Sequence, residues 1–382
     1  MTRLTREQLF TPDEQAIVHV MNRAVRRCFL MGHDQFTGRN YDYRKTWIES
    51  RIEHLAKYFG IDVLTYSILS NHFHLVLRQR PDVVKTWDDT EVARRWLMIC
   101  PKKKNKDGSP KEPTEPQLNS IRNDPVQVAE IRSRLSDISW WMRLMCQTIA
   151  QRINAEDEAT GKVWESRFKA VRLLDESALL ACSAYVDLNP IRAAMAETLE
   201  QSDYTSIQRR IQAVKQQIED ECLNPAASEA SASTSIENKQ SDAFSTDTQR
   251  KEKASQMRDR TLAPIHLHDL RDALQIRPST SCFRCSDRGF LNMTAVEYIE
   301  LLDWLARQVV PGKRGSTPEN TPAIFDRLGL GMSAGTFCEL VANFGKLFKI
   351  VAGKPHVIDA HRGVRRPKRF KLSPQARQLL EA

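Results

Sequence analysis

The sequence predicts an α+β fold of the split β-α-β type, in which an antiparallel sheet carries helices on one face and leaves the other face open. The first observation is that patterned segments in the first half of the chain follow the order β-α-β-β-α-β. The second is an apolar run at residues 68–77 that contains two histidines separated by one residue. The third is helical periodicity that returns after residue 259 and predicts a further, mainly α-helical part.

The first three elements follow from local patterns. Residues 16–21 form an apolar run typical of a strand. Residues 43–58 carry apolar side chains at helical spacing until Gly60 interrupts the pattern. Residues 61–69 are again apolar and β-branched, which predicts a second strand.

The last three elements complete the order. Ser70 and Asn71 predict a tight turn between the second strand and the histidine-bearing strand. Residues 135–154 read as an amphipathic helix and residues 167–174 as a fourth strand. Together the six elements predict a ferredoxin-like, RRM-like sheet.

A long insertion separates the third strand from the second helix. Residues 81–134 contain several prolines and a lysine cluster, which predicts a solvated loop. Its lysines are suited to a phosphate backbone, although a merely soluble loop is an equal alternative. The cluster consists of Lys102, Lys103 and Lys104.

Chain length and composition predict two domains. The 382 residues exceed what one hydrophobic core usually serves. We expect a catalytic domain at residues 1–223, a disordered linker rich in Ala, Ser and Thr at 224–258, and a small helical domain at 259–382. The last domain ends in a basic tail that predicts a nucleic-acid contact: Arg362, Arg365, Arg366, Lys368, Arg369 and Lys371.

Charge and cysteine usage narrow the class of protein. Lysine and arginine outnumber aspartate and glutamate by 57 to 48, which favours a polyanionic partner, above all nucleic acid. The eight cysteines are mostly isolated in apolar segments, as expected for reduced thiols. With no apolar leader and no membrane-length apolar run in the sequence, we expect a cytoplasmic, nucleoid-associated protein of a bacterial cell.

The paired histidines are the most informative motif. Successive side chains of a strand point to opposite faces, so His72 and His74 share one face while Phe73 points to the other. This arrangement presents two imidazoles to one cation. A half-buried, hydrogen-bonded polar residue is the ordinary alternative for any strand histidine.

Tyr185 and Asn189 lie four residues apart in a segment that begins at Asp175 with a helix-capping pattern. On a helix this spacing places both side chains on one face, although Pro190 limits or kinks the helix. One helix could thus supply a nucleophile and a metal ligand. Packing at a helix surface is the alternative for Tyr185, and Tyr204 is the reserve nucleophile.

Three motifs in this order resemble the single-tyrosine HUH transposases, in particular the REP-associated tyrosine transposases. They are His72-Phe73-His74, Trp164-Glu165-Ser166-Arg167-Phe168 and the run from Tyr185 to Ala193. The likeness covers about residues 15–205, and Asn71 and Asn22-Arg23 also suit the family pattern.

The resemblance implies a catalytic domain that binds single-stranded DNA, usually folded into a hairpin. Carried over by position, His72 and His74 are metal ligands, Asn189 is the third ligand and Tyr185 is the nucleophile. Two imidazoles and an amide oxygen suit Mg²⁺ or Mn²⁺, while zinc is also accepted by such ligands. We expect Arg167 and Arg192 to contact phosphates, with a surface ion pair as the alternative.

The chemistry follows from these groups. A phenol with a pKa near 10 attacks a phosphodiester poorly at neutral pH unless the developing charge is neutralised. Attack would give a 5′-phosphotyrosine and a free 3′-hydroxyl, and another 3′-hydroxyl can reverse this step without ATP. With one nucleophilic tyrosine per chain, coupled cleavages at two DNA ends require either a homodimer or successive action.

Two other functions compete with a transposase. A noncatalytic nucleic-acid-binding protein of the same fold would show aromatic side chains, rather than histidines, on its exposed sheet face. A single-strand nicking enzyme retained by a host would share the site and differ in its DNA substrate.

Overall fold

The computed structural model of the protein describes residues 9–34, 37–223, 259–267, 276–309, 334–365 and 372–381. The predicted linker at 224–258 and residues 366–371 of the predicted basic tail lie outside the described residues. Within the described part, no helix combines the length and the apolar character that crossing a bilayer requires.

A five-stranded sheet organises the fold. Its strands are β1 (Ile17–Arg23), β2 (Ile61–Ile68), β3 (His72–Gln79), β4 (Lys169–Leu173) and β5 (Val351–Ala352). They lie in the order β2-β3-β1-β4-β5, with antiparallel pairing among the first four and a parallel β4–β5 pair. The predicted α+β, split β-α-β fold is therefore confirmed, and the boundaries of β1 to β4 lie within two residues of their predicted positions. The short strand β5 was not predicted.

Thirteen α-helices are described. They are α1 (Arg44–Tyr58), α2 (Pro81–Val84), α3 (Asp89–Ile99), α4 (Glu115–Arg122), α5 (Pro125–Leu135), α6 (Ile138–Glu156), α7 (Glu176–Asp187), α8 (Asn189–Arg192), α9 (Ser206–Leu223), α10 (Ala295–Val309), α11 (Ala334–Leu347), α12 (Pro355–Arg365) and α13 (Pro374–Glu381). The helices expected at 43–58 and 135–154 correspond to α1 and α6.

Helices α1 and α6 cover the first face of the sheet. Val18 and Val20 of β1 and Phe73 and Leu75 of β3 point into this core, as the two-residue period of a strand requires. Phe73, the residue between the paired histidines, packs edge-on against Trp164 at 5.4 Å between ring centroids.

The second face is also covered, which corrects the expectation of an open face. Leu64 and Val76 of the sheet pack into a core that includes Leu180 of α7 and Phe337 of α11. The physical reason is that β2 is buried at every position, whereas a half-solvated strand would alternate buried and exposed residues. The sheet thus needs apolar partners on both sides.

The insertion at 81–134 is helical, which corrects the expectation of a solvated loop. Helices α2 to α5 occupy it, and Val92, Leu97 and Ile131 are buried in the first-face core. Their starts carry ordinary capping residues, since Asp88 accepts from the Glu91 amide and Asp124 accepts from the Val126 amide. The lysine cluster itself lies exposed between α3 and α4.

Residues beyond the predicted linker are joined to the sheet through Asp62, a buried residue of β2. Arg78 Nη2 donates to Asp62 Oδ2 at 2.7 Å, and the Ser286 amide donates to Oδ1 at 3.0 Å. Arg78 Nη1 also donates to the Gly289 carbonyl at 2.8 Å. Together with β5, these contacts attach the C-terminal part to the sheet, while the predicted division into two domains stays a prediction.

Candidate active site

The paired histidines lie on the second face of the sheet. His72 is half-buried, His74 is 1% exposed, and their ring centroids are 5.0 Å apart. Both project from β3 towards α7 because alternate residues of a strand share a face.

A third histidine, His19 of β1, joins this pair. A hydrogen bond of 2.9 Å connects His19 Nε2 and His74 Nδ1, and the two rings stack at 5.1 Å between centroids. The strand pairing explains the contact, since β1 and β3 are adjacent and His19 shares the face of His74. Sequence reasoning missed His19, although its place in an apolar strand was visible.

All three imidazoles are neutral at pH 7. Burial lowers the pKa of His19 and of His72 to about 4, and it lowers the pKa of His74 well below its usual value. In a neutral pair one ring nitrogen donates and the other accepts. His74 Nε2 is buried and has no hydrogen-bond partner, so a tautomer that donates through Nδ1 avoids an orphaned N–H there.

The ring of His72 is held in the same way. Its Nδ1 lies 2.6 Å from Asn71 Oδ1, while Asn71 Nδ2 donates to the Arg27 carbonyl at 3.2 Å. The amide orientation therefore makes His72 Nδ1 the donor. Both histidines of the pair then carry a lone pair on Nε2, which is the form that binds a metal.

Tyr185 of α7 lies beside the histidines. Its ring is 5.5 Å from that of His74 and 6.0 Å from that of His19, edge-on to both. Burial raises the pKa of the Tyr185 hydroxyl, while the Asn189 amide and the charges of Arg192 and Arg23 act in the opposite direction.

Asn189 and Arg192 flank the tyrosine on a kinked helical path. Asn189 begins α8 after the single residue Leu188, and its Nδ2 donates to the Tyr185 carbonyl at 3.1 Å. The Arg192 guanidinium lies 5.8 Å from the centre of the Tyr185 ring. Tyr185 and Asn189 thus remain neighbours despite Pro190.

Arg23, the last residue of β1, supplies a further positive charge. It pairs with His72 across β1 and β3, and its charge helps to lower the pKa of His72. Its Nε is buried without a hydrogen-bond partner, so this N–H would gain an acceptor if an anion bound here. The sequence places Arg23 in a family-like motif, but its proximity to Tyr185 follows from the strand register.

Helix α11 covers the site. Phe344 stacks on the Tyr185 ring at 5.7 Å between centroids and meets His19 edge-on at 6.1 Å. A Cβ atom at Gly345 would lie 3.0 Å from the Tyr185 hydroxyl oxygen. Val341 accepts a 2.8 Å hydrogen bond from Arg192 Nη1. The hydroxyl therefore faces the backbone of α11, a contact that no local pattern indicates.

The other predicted DNA-binding residues lie elsewhere. Arg167 is exposed beside a cleft on the first-face side of the sheet. Lys102 and Lys103 line a different depression of about 250 Å³ near α4, and Lys104 pairs with Pro110 in the same loop. The site therefore brings together His72, His74, Tyr185, Asn189 and Arg192, and leaves the lysines and Arg167 apart.

The side chains at this site suit a divalent cation in part. Among the described residues, no group of three or more His, Cys, Asp or Glu side chains is placed to hold a metal. The predicted set differs from such a group, because it has two imidazoles and one amide. The buried, unpartnered His74 Nε2 and the fixed ring of His72 fit a cation, with Asn189 as the candidate third ligand.

Comparisons with known proteins add a distant likeness. No protein-family model matches the chain, and no curated protein sequence matches it. One similar solved structure is that of a REP-associated tyrosine transposase bound to a REP hairpin. It is 11% identical, with a TM-score of 0.31, and the match covers 55% of this chain and 86% of that one. A likeness this distant assigns neither a function nor a site residue to this chain.

Proposed function

We propose that the protein is a single-tyrosine HUH transposase, a metal-dependent enzyme that cleaves and transfers single-stranded, hairpin-bearing DNA. The observation that carries this proposal is the contact between the Tyr185 ring and His74, whose Nε2 is buried and unpartnered. A phenol beside an unused imidazole nitrogen, with Arg23 and Arg192 nearby, is a combination suited to phosphodiester attack.

The proposed reaction exchanges one phosphoester for another. The Tyr185 oxygen attacks phosphorus, a new O–P bond forms and the bond to the 3′ oxygen breaks. The phenolic proton goes to solvent and the departing 3′ oxygen takes one up, so the products are a 5′-phosphotyrosine and a 3′-hydroxyl. Arg23 and Arg192 stabilise the developing negative charge.

A bound Mg²⁺ or Mn²⁺ would supply Lewis-acid stabilisation of that charge. His72 Nε2, His74 Nε2 and Asn189 Oδ1 are the proposed ligands. His19 and Asn71 hold the two rings in the metal-binding tautomer through their contacts with Nδ1.

A covalent-adduct assay tests the proposal. Wild-type protein, a labelled single-stranded hairpin from the flanks of the encoding locus and Mn²⁺ should give a band that resists denaturant. Tyr185→Phe should abolish the band, whereas Tyr204→Phe, the control at the reserve tyrosine, should retain it. His74→Ala should reduce cleavage at least about 100-fold and leave DNA binding nearly intact. An adduct that persists in Tyr185→Phe contradicts the assignment of the nucleophile.

A noncatalytic DNA-binding role is the second candidate, and the cover over Tyr185 favours it. Phe344 stacks on the Tyr185 ring and burial raises the pKa of its hydroxyl, both of which oppose attack. Hairpin binding without any adduct in Mg²⁺, Mn²⁺ or Zn²⁺ would support this role over catalysis.

A further inference from the structure

We propose that a cleft beside Trp140 binds one unstacked nucleobase of single-stranded DNA next to the cleaved phosphate. This inference rests on the proposed function and adds a substrate subsite to it. The cleft encloses about 440 Å³, within the range of small-ligand sites. Its lining includes Asn22, Trp140, Arg143, Trp164, Arg167 and Phe168.

The walls of the cleft suit a flat aromatic ligand. Trp140 is half-buried at the rim, and Trp164 is fixed by a 2.9 Å hydrogen bond from its Nε1 to the Cys146 carbonyl. Met142 and Phe168 add buried apolar surface. Aromatic side chains of this kind stack on bases of single strands regardless of sequence, because every base has a π face.

The charges around the cleft suit the phosphates on either side of such a base. The Arg143 guanidinium lies over the Trp140 ring, 4.7 Å from its centre, so a base that stacks on this ring would displace it towards a flanking phosphate. Arg167 is exposed and lines the same cleft. Arg134 also lies over the ring, at 4.3 Å, but it is ion-paired with Glu130. Asp137 also lines the cleft, but its carboxylate accepts from the Ser139 amide at the start of α6. These cations favour a nucleotide over an apolar peptide side chain, which carries no charge for them to bind.

One buried polar group can read the edge of the base. Asn22 is 5% exposed, and its Nδ2 has Cys146 Sγ as an acceptor at 3.2 Å. Sulfur is a weak acceptor, so the amide gains when an oxygen or a ring nitrogen of a base replaces it. Base-flipping enzymes combine stacking with hydrogen bonds of this type.

The position of the cleft connects it to the candidate active site. Asn22 and Arg23 are consecutive residues of β1, so their side chains point to opposite faces, the first towards the cleft and the second towards His72. Trp164 packs on Phe73, between the two histidines, and the Glu165 amide donates to the Arg23 carbonyl at 2.9 Å. A DNA strand that crosses this end of the sheet can therefore place a phosphate at Arg23 and the neighbouring base in the cleft.

The chain offers a matched control at Trp47 of α1. Trp47 is also half-buried, and the Arg152 guanidinium of α6 lies 3.9 Å from its ring centre, much as Arg143 lies over Trp140. Trp47 packs with Tyr43 and Arg44 and does not line the cleft. Replacing Trp47 therefore removes a comparable ring and cation pair from a different surface.

The test measures binding of the labelled hairpin by anisotropy in EDTA, so that no cleavage occurs. Trp140→Ala should weaken binding roughly 5- to 150-fold, the loss expected for one stacked base. Trp140→Phe should recover most of that affinity, and Trp47→Ala should change it less than about twofold. Arg143→Glu should weaken binding more than Arg152→Glu. Thermal unfolding of each variant verifies that the fold is retained.

Abasic substitutions along the oligonucleotide locate the base. At one position, removing the base should weaken binding by the wild-type protein as much as Trp140→Ala does. The same abasic substitution should not weaken binding by the Trp140→Ala variant any further, since both changes remove the same contact. Equal losses in the Trp140 and Trp47 variants, or additive effects at every abasic position, would overturn the subsite. The adduct assay separates the two proposals. If the adduct forms but Trp140→Ala does not weaken binding, the base subsite is rejected and the enzyme proposal stands. If no adduct forms, the enzyme proposal is rejected.

Discussion

His19 can orient a proposed metal ligand, His74, without itself binding the metal. Its Nε2 contacts His74 Nδ1, so it fixes the tautomer and the ring plane of the proposed ligand. Partners of this kind typically contribute 10- to 100-fold to metal affinity. We expect His19→Ala to weaken Mn²⁺ binding by about that factor, as measured by calorimetry on the DNA-free protein.

The control for this prediction is His54→Ala. His54 is another half-buried histidine, bonded to the Met98 carbonyl at 3.1 Å, and burial likewise lowers its pKa to about 4. It lies on α1 and should leave Mn²⁺ affinity unchanged. His19→Gln should restore part of the affinity, because its amide oxygen can accept from His74 Nδ1. Equal affinities in the His19 and His54 variants would refute the positioning role.

Some residues of the candidate site could be predicted from short sequence patterns, and others could not. The His72–His74 spacing and the Tyr185–Asn189 spacing are two- and four-residue patterns, so the sequence alone brings each pair to one face. The contacts of His19 with His74 and of Phe344 with Tyr185 join distant segments. Such contacts depend on strand order and helix packing, which periodicity does not encode.

At the scale of elements, Asp187 holds the end of α7 where the tyrosine is presented. It is fully buried, and it accepts hydrogen bonds from the Ser206 hydroxyl, the Ile207 amide and the Tyr298 hydroxyl. One carboxylate therefore connects α7 with α9 and α10. Burial raises its pKa to about 6.

We expect Asp187→Ala to lower the free energy of unfolding by roughly 3 kcal/mol, because three buried donors lose their acceptor. Asp187→Asn should cost less, since Oδ1 can still accept. Urea denaturation measures both changes in the free energy of unfolding. The control is Asp203→Ala, at an exposed residue bonded to Gln208, which should change this free energy by no more than about 0.5 kcal/mol. A loss for Asp187→Ala no larger than for Asp203→Ala would contradict this role.

The insertion is helical because its prolines and polar residues stand at helix starts. Its prolines suggested a loop, yet Pro125 follows the capping residue Asp124 at the first turn of α5, where a proline is compatible with a helix. Thr114 and Gln117 form a capping box at α4. These capping signals are visible in the sequence. The exposed lysines between α3 and α4 instead suggested a solvated loop for the whole insertion.

At the scale of the whole molecule, the second core determines access to the site. The expected open face followed from a minimal four-stranded sheet, but Leu64 and Val76 required apolar cover, which α7 and α11 provide. The segment that supplies α11 lies some 150 residues beyond Tyr185 in the chain. Only the folded arrangement reveals that the C-terminal part covers the proposed nucleophile.

This cover predicts a competition between α11 and substrate DNA. Phe344→Leu keeps an apolar side chain in the core and removes the ring stacked on Tyr185, an interaction of about 0.5–1.5 kcal/mol. We therefore expect adduct formation to become roughly 2- to 10-fold faster. Phe348→Leu is the matched control, because Phe348 is buried in the same core and contacts Phe344 at 4.8 Å between centroids. Its adduct rate should stay near that of the wild type. If Phe344→Leu instead slows adduct formation while Phe348→Leu does not, then α11 takes part in holding Tyr185 for attack and does not shield it.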